Sequence, residues 1–128
     1  MNSREAVRYL HERHPRVIPA PEGEVDLGAL HFEVFTLQMH ACELVDRRAD
    51  RAARRCFETV HELLVRGDAD VRPSVWNDFA IPHLVHHPDL AWAKGRMPPL
   101  LAEMCDKVRE TIWEMLDGDP PAPADRQG

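Results

Sequence analysis

Lysine is nearly missing from this 128-residue sequence: of sixteen cationic residues only Lys94 and Lys107 are lysine, and the rest are arginine. That bias reads as the codon usage of a GC-rich, bacterial genome rather than as chemistry. No apolar run approaches the ~20 residues that cross a bilayer, which excludes a membrane-spanning helix. The opening Met1-Asn2-Ser3-Arg4-Glu5 leads into no apolar secretory core, so a cytoplasmic location is expected. Glycine is scarce, at six residues. There is no phosphate-binding glycine loop, no Gly-x-Ser-x-Gly, no His-Glu-x-x-His and no Cys-x-x-Cys, and with these signatures go the commonest catalytic sets. The three cysteines, Cys42, Cys56 and Cys105, lie far apart among aliphatic residues, as buried reduced thiols do. Positive charge in excess is also lacking. A net charge of −6 disfavours a nucleic-acid partner, whose phosphates need cationic patches, and makes a basic partner the expectation.

What is present is helical periodicity. Residues 1–117 read as one domain, long enough to bury roughly two-thirds of the surface of the unfolded chain, and residues 118–128 as a disordered, proline-rich tail. A first helix is expected from Ser3 to His14, capped by Asn2 with Glu5 in the reciprocal position and stopped by Pro15. The three prolines of residues 15–23 indicate an extended connector. The second helix, Val25 to Asp46, repeats Leu27, Leu30, Val34, Leu37, Ala41 and Leu44 along one face. Steps of ~100° place Phe32, Phe35, Met39 and Cys42 on another, leaving the stripe Glu33, Thr36, His40 and Glu43 for water. A helix apolar on two sides is expected to be packed on two sides, at the centre.

A third helix, Ala49 to Arg66, buries Ala49, Ala52, Ala53, Cys56, Val60, Leu63 and Leu64, and ends at Gly67 in a left-handed cap. A fourth opens near Asp70 with Val71, Val75 and Phe79 inward, Trp76 and Leu84 as its second ridge, and Pro82 kinking or ending it. The last, Pro99 to Leu116, buries Leu101, Met104, Cys105, Val108, Ile112 and Met115. No segment alternates as a strand does. The fold class is therefore all-α, about five helices around one core.

Eight histidines raise the possibility of a metal. His83 and His87 are one helical turn apart with His86 between, and with a carboxylate from another helix they form the alternative reading, a divalent transition-metal site and a metal-dependent hydrolase. Glu58, His61 and Glu62 fall opposite Cys56, Val60 and Leu63, so a di-iron arrangement, whose ligands all project inward, is excluded. His40 and Glu43 with Glu33 are a base and acids one turn apart, without an oriented nucleophile, and are candidate binding residues rather than catalytic ones. Trp92, with Leu90 and Met97, is expected to expose an apolar docking patch. Arg47, Arg48, Arg51, Arg54 and Arg55 read either as an anion-binding patch or, interleaved with Asp46 and Asp50, as a solvated face.

The run Cys56-Phe57-Glu58-Thr59-Val60-His61-Glu62-Leu63-Leu64-Val65-Arg66-Gly67-Asp68-Ala69-Asp70-Val71, followed by Val75, Phe79 and Leu84, resembles a group of small uncharacterised bacterial helical proteins. There a helix ending in Gly-Asp leads into a second that packs back on it as a HEAT-like hairpin. The group often has an acidic residue two or three positions after the aromatic matched to Phe79, where this chain has Ala80, Ile81, Pro82 and His83. The resemblance implies an immunity-type protein that binds and blocks a partner protein, without a cofactor. A third possibility is a subunit whose second helix completes a partner's core, and the oligomeric state is left open.

Overall fold

The computed structural model describes residues 1–81 and 83–115. The expected tail, Leu116 at the end of the last helix and Pro82 lie outside the described residues. Those described are all-α, as the periodicity requires, with helices α1 (Ser3–Arg13), α2 (Leu27–Asp46), α3 (Asp50–Arg66), α4 (Arg72–Ser74), α5 (Leu90–Lys94) and α6 (Pro99–Met115). A π-helical segment, Val75–Ala80, continues α4 directly, and a 3-10 turn, Leu84–His86, follows it.

The first helix is capped as its sequence demands. The Asn2 side chain accepts from the Glu5 amide at 2.9 Å, and the Asn2 amide donates to Glu5 Oε1 at 3.1 Å. The expected extended connector instead begins with a tight turn in which the Val17 and Ile18 amides both donate to the His14 carbonyl, and Ile18 drops fully into the core. Asp26 caps α2 by accepting from the Ala29 amide.

Helix α2 is central, packing against α1, α3, α4, the π segment and the 3-10 turn. Its inner face is Leu30, Val34, Leu37, Ala41, Leu44 and Val45. Leu27, expected inside, lies in the first turn and is exposed. Helix α3 adds Ala53, Cys56, Phe57, Val60 and Leu63; Ala52 is exposed and Phe57, missed by the periodicity, is fully buried. Phe57 meets Phe79 edge to face at 6.3 Å between centroids, a geometry that adds about 1 kcal/mol to the burial of the two rings. From α6, Leu101, Cys105 and Val108 close the core, while Met115 faces out.

Gly67 is needed for a reason other than the expected left-handed cap. Its φ is −68°, open to any residue, but a Cβ there would sit 2.3 Å from the Leu63 carbonyl oxygen and 2.7 Å from Val71 Cγ1. Close packing of the α3–α4 hairpin, not backbone handedness, excludes a side chain. Asp68 completes the turn by accepting from the Asp70 and Val71 amides.

The π segment marks the approach to Pro82. A proline has no amide hydrogen for the carbonyl four residues back, which is that of Asp78, and its ring crowds that carbonyl. The helix widens beforehand, the Ile81 amide reaching the Trp76 carbonyl at 3.2 Å. Gln38, fully buried on α2, supplies the missing partners: its Nε2 donates to the Asp78 carbonyl at 3.2 Å, and its Oε1 accepts from the His83 and Leu84 amides at 2.8 and 3.0 Å. Replacing Gln38 with Leu leaves these groups without partners. We expect a loss of about 2–4 kcal/mol in urea denaturation, well above the cost of an ordinary surface change.

Candidate docking face

The second apolar face of α2 is not packed. Phe32 is 66% exposed, Met39 45% and Phe35 37%, with Cys42 half-buried at the end of the row. The expectation of burial on two sides fails because α6, which had the length to cover this face, packs on α3, the π segment and the 3-10 turn instead. From Phe32 to Glu43 the row is about 16 Å long. Gly28 continues it without a side chain towards the capped N-terminus. Monomeric proteins keep such aromatic and Met-rich rows short unless something covers them, and these residue types are enriched at the centres of interfaces.

Polar groups frame the row. On one side the Phe35 ring lies 6.1 Å from the His83 ring. Beside it His31 Nδ1 pairs with Asp78 Oδ2, the same oxygen to which the fully buried Ser74 hydroxyl donates at 2.7 Å. Because Ser74 and His31 both bond to the carboxylate, the imidazole does not stand between hydroxyl and acid, so this group cannot activate Ser74 as a nucleophile. Its effect is to tie the π segment to α2. At the ends of α2 stand acids: Glu24 and Asp26 before it, Glu43 and Asp46 in its last turn, all exposed. Among the described residues Glu43 enters no ion pair.

The residues expected to form a site do not come together as one. Glu33, assigned to water, is buried beside the core, and its Oε2 has no hydrogen-bond partner among the described residues. Burial pushes its carboxyl upward from the ordinary value of 4.5. Its place follows from the helical wheel, on which steps of ~100° put Glu33 beside Leu44 at the edge of the buried arc of α2. His40 is half-buried, with its ring 6.4 Å from that of His14, and Glu43 is exposed at the end of the apolar row. Trp92 exposes no apolar patch, because Leu90 and Met97 are buried and the indole lies under two guanidiniums, Arg96 at 4.1 Å and Arg48 at 5.7 Å. Arg48, in the left-handed conformation at φ 53°, also donates to Asp89, and Arg96 donates to Asp50 at 2.8 Å. Hydrogen bonds from Arg96 and Arg54 hold the exposed Asp50 carboxyl below its usual range.

His83, His86 and His87 are likewise not gathered. His83 leans on Phe35, His86 is exposed, and His87 has both nitrogens engaged: Nδ1 accepts from the Asp89 amide at 2.9 Å, so Nε2 carries the proton and donates to Asp46 at 2.6 Å. Among the described residues no three His, Cys, Asp or Glu side chains converge on a point where they could hold a metal ion. Burial pushes the Cys42, Cys56 and Cys105 thiols up to about 11, 12 and 12, which makes them poor nucleophiles and poor ligands. No described helix is long and apolar enough to cross a membrane. No protein-family model, curated protein or solved structure matches this chain.

Two buried groups give opposite pH dependences. His14 is pushed down from 6.5 to about 4, first by burial and then by the nearby charges of His40, Arg55 and Arg13. The unfolded chain therefore takes up this proton before the folded one does, and stability falls as pH drops from 6.5 towards 4, by about 3 kcal/mol in all. A nuclear magnetic resonance titration of the His14 imidazole should show it neutral at pH 5; a midpoint near 6.5 would refute the assignment. Glu33 runs the other way, since its folded form keeps its proton above 4.5 and stability declines as pH rises from there. Glu33→Met should raise the unfolding free energy by about 1 kcal/mol at pH 8, the gain shrinking towards zero as pH approaches 4.5.

Proposed function

We propose that this protein is an interaction domain that binds a partner protein through the outer face of α2. The observation that carries the reading is the row Phe32, Phe35 and Met39, exposed on a helix whose opposite face is fully packed. The row is one helix wide, which suits an amphipathic helix of the partner laid along it. Acidic residues at both ends, Glu24 and Asp26 at one and Glu43 and Asp46 at the other, favour basic residues flanking that helix's apolar anchors. The half-buried Ser74–Asp78–His31 group and the unreactive thiols offer no catalytic alternative of comparable definition.

A finer reading makes the partner a toxin that the chain neutralises. Its support is the resemblance of Cys56–Val71, with Val75, Phe79 and Leu84, to helical proteins of which some act in immunity. The hairpin geometry is compatible with it, Val71, Val75 and Phe79 all packing inward against α3.

Co-purification from the native host separates the readings. The wild-type chain should retain a stoichiometric protein partner, and Phe32→Asp, which alters only an exposed position, should retain at least tenfold less while keeping the same helical circular-dichroism spectrum. Equal retention by both chains overturns the assignment of the face. A mass in solution of twice 14.7 kDa that Phe32→Asp halves would mean that a second copy covers the row, which also overturns it.

A further inference from the structure

A cavity of about 270 Å³ opens on the side of the molecule where α1 ends, lined by Arg13, His14, Pro15, Arg16, Val17, His40 and Arg55. It shares no residue with the apolar row of α2, and the inference from it is independent of the docking proposal. Three of its seven lining residues are arginines, in a protein of net charge −6. Of the arginines nearby, Arg48 pairs with Asp89, and Arg54 and Arg96 share Asp50, while Arg47 and Arg51 are exposed and stand in no ion pair among the described residues. Among the described residues neither Arg13, Arg16 nor Arg55 is in an ion pair.

The site is also ordered. Thr59, fully buried, donates its hydroxyl to the Arg55 carbonyl at 3.0 Å, so its oxygen is left to accept from His14 Nε2 at 2.9 Å and from Arg13 Nε at 3.5 Å. Arg55 Nη2 donates to the Arg13 carbonyl at 3.2 Å, joining α3 to the end of α1. Two guanidiniums are thus fixed by the fold, and the third, Arg16, has no hydrogen bond to a described residue. The charges acting on His14 are those of His40, Arg55 and Arg13, all repelling a proton, with no carboxylate opposing them.

We propose that this cavity binds a small phosphate ester, the phosphate among Arg13, Arg16 and Arg55 and the carbon portion against Pro15, Val17 and the imidazoles of His14 and His40. Guanidinium forks match phosphate oxygens in pairs, and three positive charges suit a dianion better than a single carboxylate. The volume lies just under the range of sites for drug-sized ligands, which limits the ester to a compact carbon group such as a single ring.

Phenyl phosphate is the probe, titrated into the full chain at low ionic strength by isothermal calorimetry. Saturable one-to-one binding is expected. Because Arg16 holds no part of the fold, Arg16→Ala should weaken it at least about tenfold with unchanged thermal stability, the loss of a charged hydrogen bond. Arg51→Ala, which removes an exposed arginine of α3 outside the cavity lining, should leave the affinity within twofold. Absence of saturable binding, or an equal loss in both variants, overturns the proposal, since the second result reports general charge attraction only. Inorganic phosphate should bind more weakly than phenyl phosphate; equal affinity would overturn the assignment of the carbon portion to Pro15, Val17 and the imidazoles.

Discussion

One buried amide holds the two halves of the molecule together. Between the π segment and the 3-10 turn, the Asp78 carbonyl and the His83 and Leu84 amides need partners that the helix does not supply. Gln38 reaches across from α2 and meets all three. Few side chains can do this: the job needs a donor and an acceptor at the same tip, without a charge whose desolvation would cost more than the bonds return. The break in the second half of the chain is thereby registered against α2, and Asp78 is fixed twice, by its carbonyl to Gln38 and by its carboxylate to His31 and Ser74. The π-helical widening before the break is the geometric cost of bringing these groups within reach.

The apolar row of α2 follows from the same arrangement. Gln38 draws the π segment and the 3-10 turn to α2, against which α1 packs as well. The later elements then pack on one another and on α3, leaving the outermost arc of α2 uncovered. A polar clamp inside the fold and an apolar stripe on its surface are in this sense two sides of one packing solution. The cationic cavity at the end of α1, which His40 of α2 helps to line, shares no residue with the apolar row.

The helical content and most inward-facing residues were legible from spacing alone, because Leu30, Val34, Leu37 and Ala41, or Val71, Val75 and Phe79, allow only one arc to be buried. The capping of α1 by Asn2 and Glu5 was equally plain, since both partners lie within one turn. What spacing could not tell was which of two apolar arcs on α2 meets protein and which meets solvent. That depends on where α6 goes, and α6 goes where the π segment directs it. The same limit explains Glu33 and Gln38, polar residues on a buried arc, whose environment is set by chains distant in sequence. Trp92 was misplaced because two arginines, one from forty-four residues earlier, stack on its ring. The basic cavity was hidden for a similar reason: Arg55 belongs to a cluster in sequence with Arg54 and Arg51, but it lines the cavity with Arg13 and Arg16.

A stripe carried on a helix that is capped at its start and packed along its back has little freedom left to lose. A partner settling on it would have to order only itself, and the rotamers of Phe32 and Met39, rather than any backbone of this chain. Encounters then succeed or fail on the approach, with no slow rearrangement on this side to wait for. Differences in affinity among related partners would accordingly lie in how long each stays rather than in how fast each arrives.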